Sequence, residues 1–211
     1  MGYLELIIGP MFSGKTSKLI ELYNEHTTFD DNIIAINYDN DTRYSTNSIV
    51  SHDGDSISAF FVNNLNDLTT HKHIFKKLKT ANYIFINEAQ FFKNLKSWVL
   101  KLVDLYDKNV ILCGLDSDFK REKFGEILDL IPHADKITKL NGNCKNCKNL
   151  SMFTHRISNE TEQEVVGIHN YIPVCRKCYC DLNFKPKTIT YSVITPQNTN
   201  SESEVLNNEL C

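Results

Sequence analysis

The run Gly9-Pro10-Met11-Phe12-Ser13-Gly14-Lys15-Thr16 constrains the fold more than any other feature of the chain. It fits the pattern G-x-x-x-x-G-K-[ST]. A short apolar run, Tyr3 to Ile8, precedes it, and a stretch with Leu19, Ile20 and Tyr23 on one helical face follows it. In a strand–loop–helix of this kind, glycines let backbone N–H groups curl around a phosphate without Cβ clashes. The N-terminus of the following helix adds its partial positive charge. Lys15 can then reach the β- and γ-phosphates of a nucleotide, and the Thr16 hydroxyl can bind Mg²⁺.

The chain after the loop repeats the same alternation. Apolar runs at Ile33–Tyr38, Ile57–Val62, Tyr83–Asn87 and Val110–Gly114 read as strands. Asp67 to Thr80 and Leu95 to Tyr106 read as amphipathic helices, and Gly125 to Ile131 as a short helix closed by Pro132. The segment from Asp39 to Ser56 is polar and turn-rich. Continuous apolar strands separated by helices predict an α/β fold, a P-loop NTPase-like parallel sheet covered by helices on both faces.

A carboxylate is expected on a neighbouring strand end, where P-loop enzymes place an Asp that holds Mg²⁺ through water. That position is Asn87, and the carboxylate, Glu88, comes one residue later. Neutral Asn87 can only orient a metal-bound water. Glu88 can serve as a metal partner or as a general base.

The composition shifts near Leu140, toward Cys, Asn, Lys and Gly. Cys144-x-x-Cys147 and Cys175-x-x-Cys178 each form a knuckle, with 27 residues between them. Two knuckles make a closed tetrahedral Cys₄ site, the geometry of structural Zn²⁺. Redox pairs or free thiols are the alternatives, and Cys180 competes with Cys178 as a ligand. Cys113 reads as a core residue, and Cys211 ends the tail. The spacer exceeds the usual length for paired knuckles, so it has room for a loop with its own role. The expected organisation is residues 1–140 as the P-loop domain, 141–184 as a small zinc lobe, and 185–211 as a polar, disordered tail.

The 211 residues carry a net charge of −3, which argues against a nucleic-acid binder with a basic face. No apolar run approaches the roughly 20 residues of a membrane span. The N-terminal MGYLELIIGP lacks the basic region and cleavage site of a signal peptide, so a cytoplasmic chain is expected, with no membrane or nucleic-acid partner.

Seven strings make the reading specific: Gly9–Thr16, Asp41–Tyr44 (DTRY), Ser51–Asp53 (SHD), Asn87–Phe92 (NEAQFF), Leu115–Gly125 (LDSDFKREKFG), Cys144–Cys147 (CKNC) and Tyr171–Tyr179 (YIPVCRKCY). In this order the chain closely resembles the cellular-type (type II) thymidine kinase family, over about Leu4 to Tyr179. The resemblance implies transfer of the γ-phosphoryl group of ATP to the 5′-hydroxyl of thymidine, and of deoxyuridine, to give dTMP in nucleotide salvage. It implies Glu88 as the catalytic base. On the nucleotide side it implies Gly9, Pro10, Met11, Phe12, Ser13, Gly14, Lys15 and Thr16, with Asp41, Thr42, Arg43, Asn87 and Gln90. Arg43 stands out because arginine is scarce in the chain, and its fork suits phosphate oxygens. Met11, Phe91, Leu115, Phe119 and Phe124 are implied to wall an apolar nucleoside pocket, with Phe119 stacked on the base.

The spacer between the knuckles is implied to be a lasso over the thymine. Gln163, Glu164, Val165, Val166 and Gly167 would hydrogen-bond the base edge through backbone, and Tyr171 would close it. Cytosine presents mismatched donors and acceptors to such a backbone, which predicts deoxycytidine as a poor substrate. ATP, Mg²⁺ and a structural Zn²⁺ at Cys144, Cys147, Cys175 and Cys178 are the implied cofactors. Feedback inhibition by dTTP and a homotetramer are implied as well.

The chain departs from the family pattern at Asn87 for Asp, Ala89 for Gly, Val166 for Gly and Lys123 for Pro. None of these removes the phosphate loop, the base or the cysteines. Three rivals remain at this level. A DNA-acting ATPase would need basic loops, and a GTPase an N-K-x-D motif that the chain lacks. A catalytically dead zinc-stapled binding module is motivated by Asn87.

Overall fold

The structure is a computed structural model, and it describes residues 1–28, 32–39, 47–165 and 170–184. Its centre is a six-stranded, all-parallel sheet in the order β5-β2-β6-β7-β1-β8. The strands are β1 (Tyr3–Gly9), β2 (Ile33–Tyr38), β5 (Phe60–Val62), β6 (Tyr83–Ile86), β7 (Asn109–Leu115) and β8 (Lys136–Lys139).

Strand periodicity divides the apolar runs between two cores. Leu4, Leu6 and Ile8 of β1, Ile34 and Ile36 of β2, and Ile84 and Ile86 of β6 enter one core with Leu68, Leu78, Leu95 and Val99. Those last four belong to α2 (Asp67–Thr70), α3 (Lys72–Thr80) and α4 (Leu95–Leu100). Ile7, Ala35, Phe85, Ile111 and Cys113 face the other way, against Leu19, Ile20 and Leu22 of α1 (Lys15–Thr27). Runs that are apolar at every position are thus explained by burial on both sheet faces.

Several local expectations are corrected. Ile57–Val62 is not one strand. Its first part, β4 (Ser56–Ser58), pairs antiparallel with β3 (Ser48–Val50), and only β5 joins the main sheet. The hairpin lies within and beside the segment read as turns. It places Ile49 and Ile57 over α1 in the second core, and its turn closes with Gly54 N–H donating to the Ser51 carbonyl at 3.1 Å. The Asp67–Thr80 helix breaks at His71, whose ψ of 105° is extended. The helix from Leu95 turns π-helical over Lys101–Leu105. The expected helix near Gly125 is a 3₁₀ run, Ile127–His133, which accommodates Pro132 instead of stopping before it.

The sixth strand, β8, was not anticipated. Its sequence, KITK, is mostly exposed, because it is an edge strand with one side on solvent. Lysines there discourage pairing with another edge. Lys136 reaches buried Glu5 at 2.9 Å, and Lys139 reaches Asp116 at 2.8 Å.

Beyond β8 the chain forms small antiparallel pairs. These are β9 (Gly142–Asn143) with β10 (Leu150–Ser151) and β11 (Phe153–Arg156) with β12 (Tyr171–Val174), followed by α5 (Arg176–Asn183). Their core is Cys144, Val174, Cys175, Cys178 and Tyr179. A core this small points to a staple.

Because the six strands are parallel, their C-terminal ends lie along one edge. Gly9 sits beside Leu115, and Ile86 beside Leu112. The phosphate loop, Glu88 and the segment after Leu115 therefore emerge together, at the edge where open α/β sheets bind ligands. No described helix is long and apolar enough to cross a membrane.

Candidate active site

The loop after β1 is held from below and from the side. The Ser13 hydroxyl donates to the Pro10 carbonyl at 2.8 Å, and Lys15 Nζ donates to the same oxygen at 2.7 Å. Met11 N–H donates to Thr154 Oγ1 at 3.0 Å, tying the loop to β11 of the C-terminal lobe. Gly14 caps α1 with φ of 81°, a left-handed conformation that disfavours a side chain. At Gly9 a Cβ would come within 2.4 Å of the Leu140 carbonyl oxygen, so the strand packs directly on backbone there.

Glu88 follows β6 with φ of 51°, in the left-handed region that a non-glycine residue enters only under local constraint. The constraint is visible. Phe91 N–H donates to the Glu88 carbonyl at 3.1 Å, closing a 3₁₀ turn over Ala89–Phe91. Gln90, 2% exposed, donates from Nε2 to Glu88 Oε2 at 2.6 Å. Its Oε1 accepts from Leu115 N–H at 2.9 Å. Gln90, assigned to the nucleotide side, thus spends both ends of its amide fixing the Glu88 carboxylate to the end of β7.

Asn87 is buried, and its amide is also spent. Nδ2 donates to Asn37 Oδ1 at 2.8 Å, and Oδ1 accepts from the Cys113 thiol at 2.9 Å. Burial, with the Glu88 charge second, pushes the Cys113 thiol up to about 12, so it stays protonated and remains the donor. Three neutral groups, Asn37, Asn87 and Cys113, therefore close on one another at this strand end. The Thr16 hydroxyl is among the oxygen donors that line the cleft with Lys15, a hard ligand of the kind Mg²⁺ takes together with phosphate.

One cleft collects most of the expected residues; Gly9 and Pro10, expected on the nucleotide side, do not line it. Its lining includes Met11 to Thr16, Asn87, Glu88 and Gln90, and Phe91, Leu115, Phe119, Phe124, Gln163, Glu164, Val165 and Tyr171. Phe91 stacks on Tyr38 at 5.0 Å between ring centroids and meets Phe124 edge-on at 5.3 Å. Phe119, assigned to stack on the base, carries the Arg156 guanidinium over its ring at 3.7 Å from the centroid. One face of that ring is therefore already covered. Asp41, Thr42 and Arg43 and the lasso residues Val166 and Gly167 lie outside the described residues, as does the tail from 185 with Cys211.

Residues missed by the sequence reading are Asn37, Tyr38, Asp118 and Arg156. Asp118 accepts from Gln163 Nε2 at 2.9 Å, bridging the segment after β7 to the lasso. The scarcity that drew attention to Arg43 applied equally to Arg156, one of four arginines, and was the available signal.

The sulfurs of Cys144, Cys147, Cys175 and Cys178 lie within 4.8 Å of one another. Cys147 Sγ is 3.5 Å from Cys175 Sγ and 3.6 Å from Cys178 Sγ. A tetrahedron with Zn–S of about 2.3 Å has edges of about 3.8 Å, so the spacing fits zinc. Cys178 N–H points at Cys175 Sγ at 3.5 Å, as a knuckle requires. Buried Cys180 stands outside the quartet, which decides the competition in favour of Cys178. No disulfide joins the described cysteines.

Comparison with known proteins agrees with this geometry. The family model described as "Thymidine kinase" matches residues 2–179. A thymidine kinase of Oryza sativa subsp. japonica is 40% identical over 187 residues, covering 85% of this chain and 67% of its own length. A thymidine kinase of sheeppox virus is 38% identical over 179 residues, covering 84% of this chain and 97% of its own. "Thymidine kinase a" of Arabidopsis thaliana is 36% identical, covering 84% of this chain and 75% of its own. A phosphate loop, a pinned carboxylate, an aromatic cleft and a cysteine quartet, with this coverage, identify the chain as a member of the thymidine kinase family.

Proposed function

We propose that the chain transfers the γ-phosphoryl group of ATP to the 5′-hydroxyl of thymidine, and of deoxyuridine, giving dTMP or dUMP and ADP. One observation carries this reading: a single cleft runs from the phosphate loop past Glu88 to the lasso residues Gln163–Val165. Backbone N–H groups from Phe12 to Gly14 cradle the phosphates, Gly9 and Pro10 shape the loop beneath them, and Lys15 neutralises charge on the β- and γ-phosphates. Glu88, held by Gln90, accepts the proton of the 5′-hydroxyl. As that O–H bond breaks, O5′ bonds to the γ-phosphorus, and the bond to the β,γ-bridging oxygen breaks with its electrons leaving on ADP. Thr16 is the residue that would hold Mg²⁺ beside the phosphates, and the ion would supply charge neutralisation at the transferring group.

The nucleoside lies against Phe91, Phe119 and Phe124, and the main chain of the lasso reads the base edge. Asp41, Thr42 and Arg43 belong to the phosphate side of this reading. Cys144, Cys147, Cys175 and Cys178 would hold Zn²⁺, which supplies a closed cross-link and no open coordination position. A domain boundary near residue 140, a homotetramer and inhibition by dTTP in the same cleft complete the reading. Light scattering and dTTP titration test the last two.

The deciding experiment is a nucleoside panel with the zinc-loaded chain at millimolar ATP and Mg²⁺. Thymidine and deoxyuridine are expected to be phosphorylated, deoxycytidine poorly, and Glu88→Gln is expected to be silent. Absence of dTMP under these conditions would overturn the assignment.

A further inference from the structure

The loop that lines the nucleoside end of the cleft is the connection between β11 and β12. Its neck is the pair Arg156–Tyr171, opposite each other in the antiparallel register. Ile157 N–H donates to the Asn170 carbonyl at 2.9 Å and closes that neck. Residues 157–165 and Asn170 are described beyond it. An apolar anchor is scarce in the described part, ISNETEQEV, so hydrophobic burial cannot order it.

Arg156 supplies the order. Its side chain is 5% exposed. Nη1 donates to the Glu160 carbonyl at 3.0 Å and to the Glu162 carbonyl. Nη2 donates to the Gln163 carbonyl at 3.1 Å and to the Tyr171 hydroxyl. Tyr171 in turn donates to the Val165 carbonyl at 3.1 Å. The cleft-lining stretch Gln163–Val165 is therefore held at both ends, directly and through one hydroxyl. The same guanidinium lies over Phe119, 3.7 Å from the ring centroid. Burying a guanidinium is costly unless its donors are met, and here both terminal nitrogens are met, by three carbonyls of the loop and by the Tyr171 hydroxyl, while buried Nε has no hydrogen-bond partner among the described residues.

We propose that Arg156 is the positioning residue for base recognition: it fixes the main chain of Glu160–Val165 and holds that stretch to Phe119. The proposal rests on the thymidine kinase reading above. A planar fork with two terminal nitrogens is needed, and a lysine supplies only a point charge. Arg156 touches no reacting atom, so its loss weakens nucleoside binding and base discrimination and leaves the nucleotide half intact.

The test compares Arg156→Lys and Arg156→Gln with the unmodified chain in the nucleoside panel, at matched zinc content. First, the unmodified chain must make dTMP. If it does not, the kinase reading fails, independently of Arg156. Given activity, both variants are expected to raise the KM for thymidine by about tenfold or more, the scale of a lost charge-assisted hydrogen bond. The KM for ATP is expected to stay within about twofold. The ratio of kcat/KM for thymidine to that for deoxycytidine is expected to fall, because a loosened main chain no longer holds its donors and acceptors in place.

An unchanged thymidine KM would overturn the proposal. So would a rise in both KM values together with unaltered base discrimination, the signature of a merely structural residue. If the Arg156 variants do not fold, Tyr171→Phe cuts the relay to Val165 and is read in the same assay. A raised thymidine KM with lower discrimination supports the proposal, and unaltered values overturn it.

Discussion

Replacing Gln90 by Met tests how the carboxylate of Glu88 is held. The two side chains have similar reach, so the buried site is filled without a large cavity. Two hydrogen bonds are lost. The bond from Nε2 to Glu88 Oε2, 2.6 Å long, has a charged acceptor and contributes about 1.5–3 kcal/mol. The bond from Leu115 N–H to Oε1, 2.9 Å long, leaves a donor orphaned at about 1–3 kcal/mol, at the low end because Leu115 is half-buried. The unfolding free energy should fall by about 2–4 kcal/mol, read from urea titration with an unchanged m-value. Glu88 is also freed to rotate, and misplacing a reacting group costs on the order of 10²-fold in rate. The expected result is therefore a stability loss together with a kcat loss of about that size, while both substrate KM values move little. A stability loss with kcat unaltered would refute the argument, because Gln90 would then hold the fold and not the base. Unchanged stability and unchanged kcat would refute the hydrogen-bond accounting itself.

Three further outcomes follow from the same geometry. Removing zinc with a chelator, or Cys147→Ser, should raise the thymidine KM before it affects ATP binding, since five residues form the lobe's core and three of them are proposed ligands; full activity at zero metal content by mass spectrometry would contradict this. Asn87→Asp puts an acceptor opposite Asn37 Oδ1 and should lower stability by about 1–3 kcal/mol in thermal unfolding; an unaltered Tm would mean that the Asn37 amide turns to donate instead. Cys113, buried with its thiol pushed up to about 12, should resist iodoacetamide at pH 8 in the folded chain, while exposed Cys147 should react once metal is removed; alkylation of native Cys113 by peptide mapping would disprove its burial as the cause.

Much of the site was legible because its chemistry is carried by contiguous residues. Gly9–Thr16 needs one strand end and one helix start, and both are written beside it. Each Cys-x-x-Cys knuckle is likewise local, and two of them suffice to imply a quartet. The alternation of buried strands with amphipathic helices set the parallel sheet, since only burial on both faces tolerates runs such as Ile33–Tyr38.

Tertiary structure decided what depends on residues far apart in the chain. Asn87 meets Asn37 and Cys113 across 50 and 26 positions. Gln90 reaches Leu115 across 25, and Gln163 reaches Asp118 across 45. Nothing local distinguishes an amide that touches phosphate from one that holds a carboxylate still. Strand β8 hid for a similar reason: an edge needs no apolar signature, and its lysines answer Glu5 and Asp116 on other parts of the chain. Arg156 is the clearest instance. In the sequence it is one arginine among many polar residues, and only the folded neck at Tyr171 turns its two terminal nitrogens toward the loop. Sequence determined which chemistry is present, because phosphate loops and thiolate knuckles are short-range objects. The fold determined how that chemistry is held, because positioning is done by contacts between distant segments.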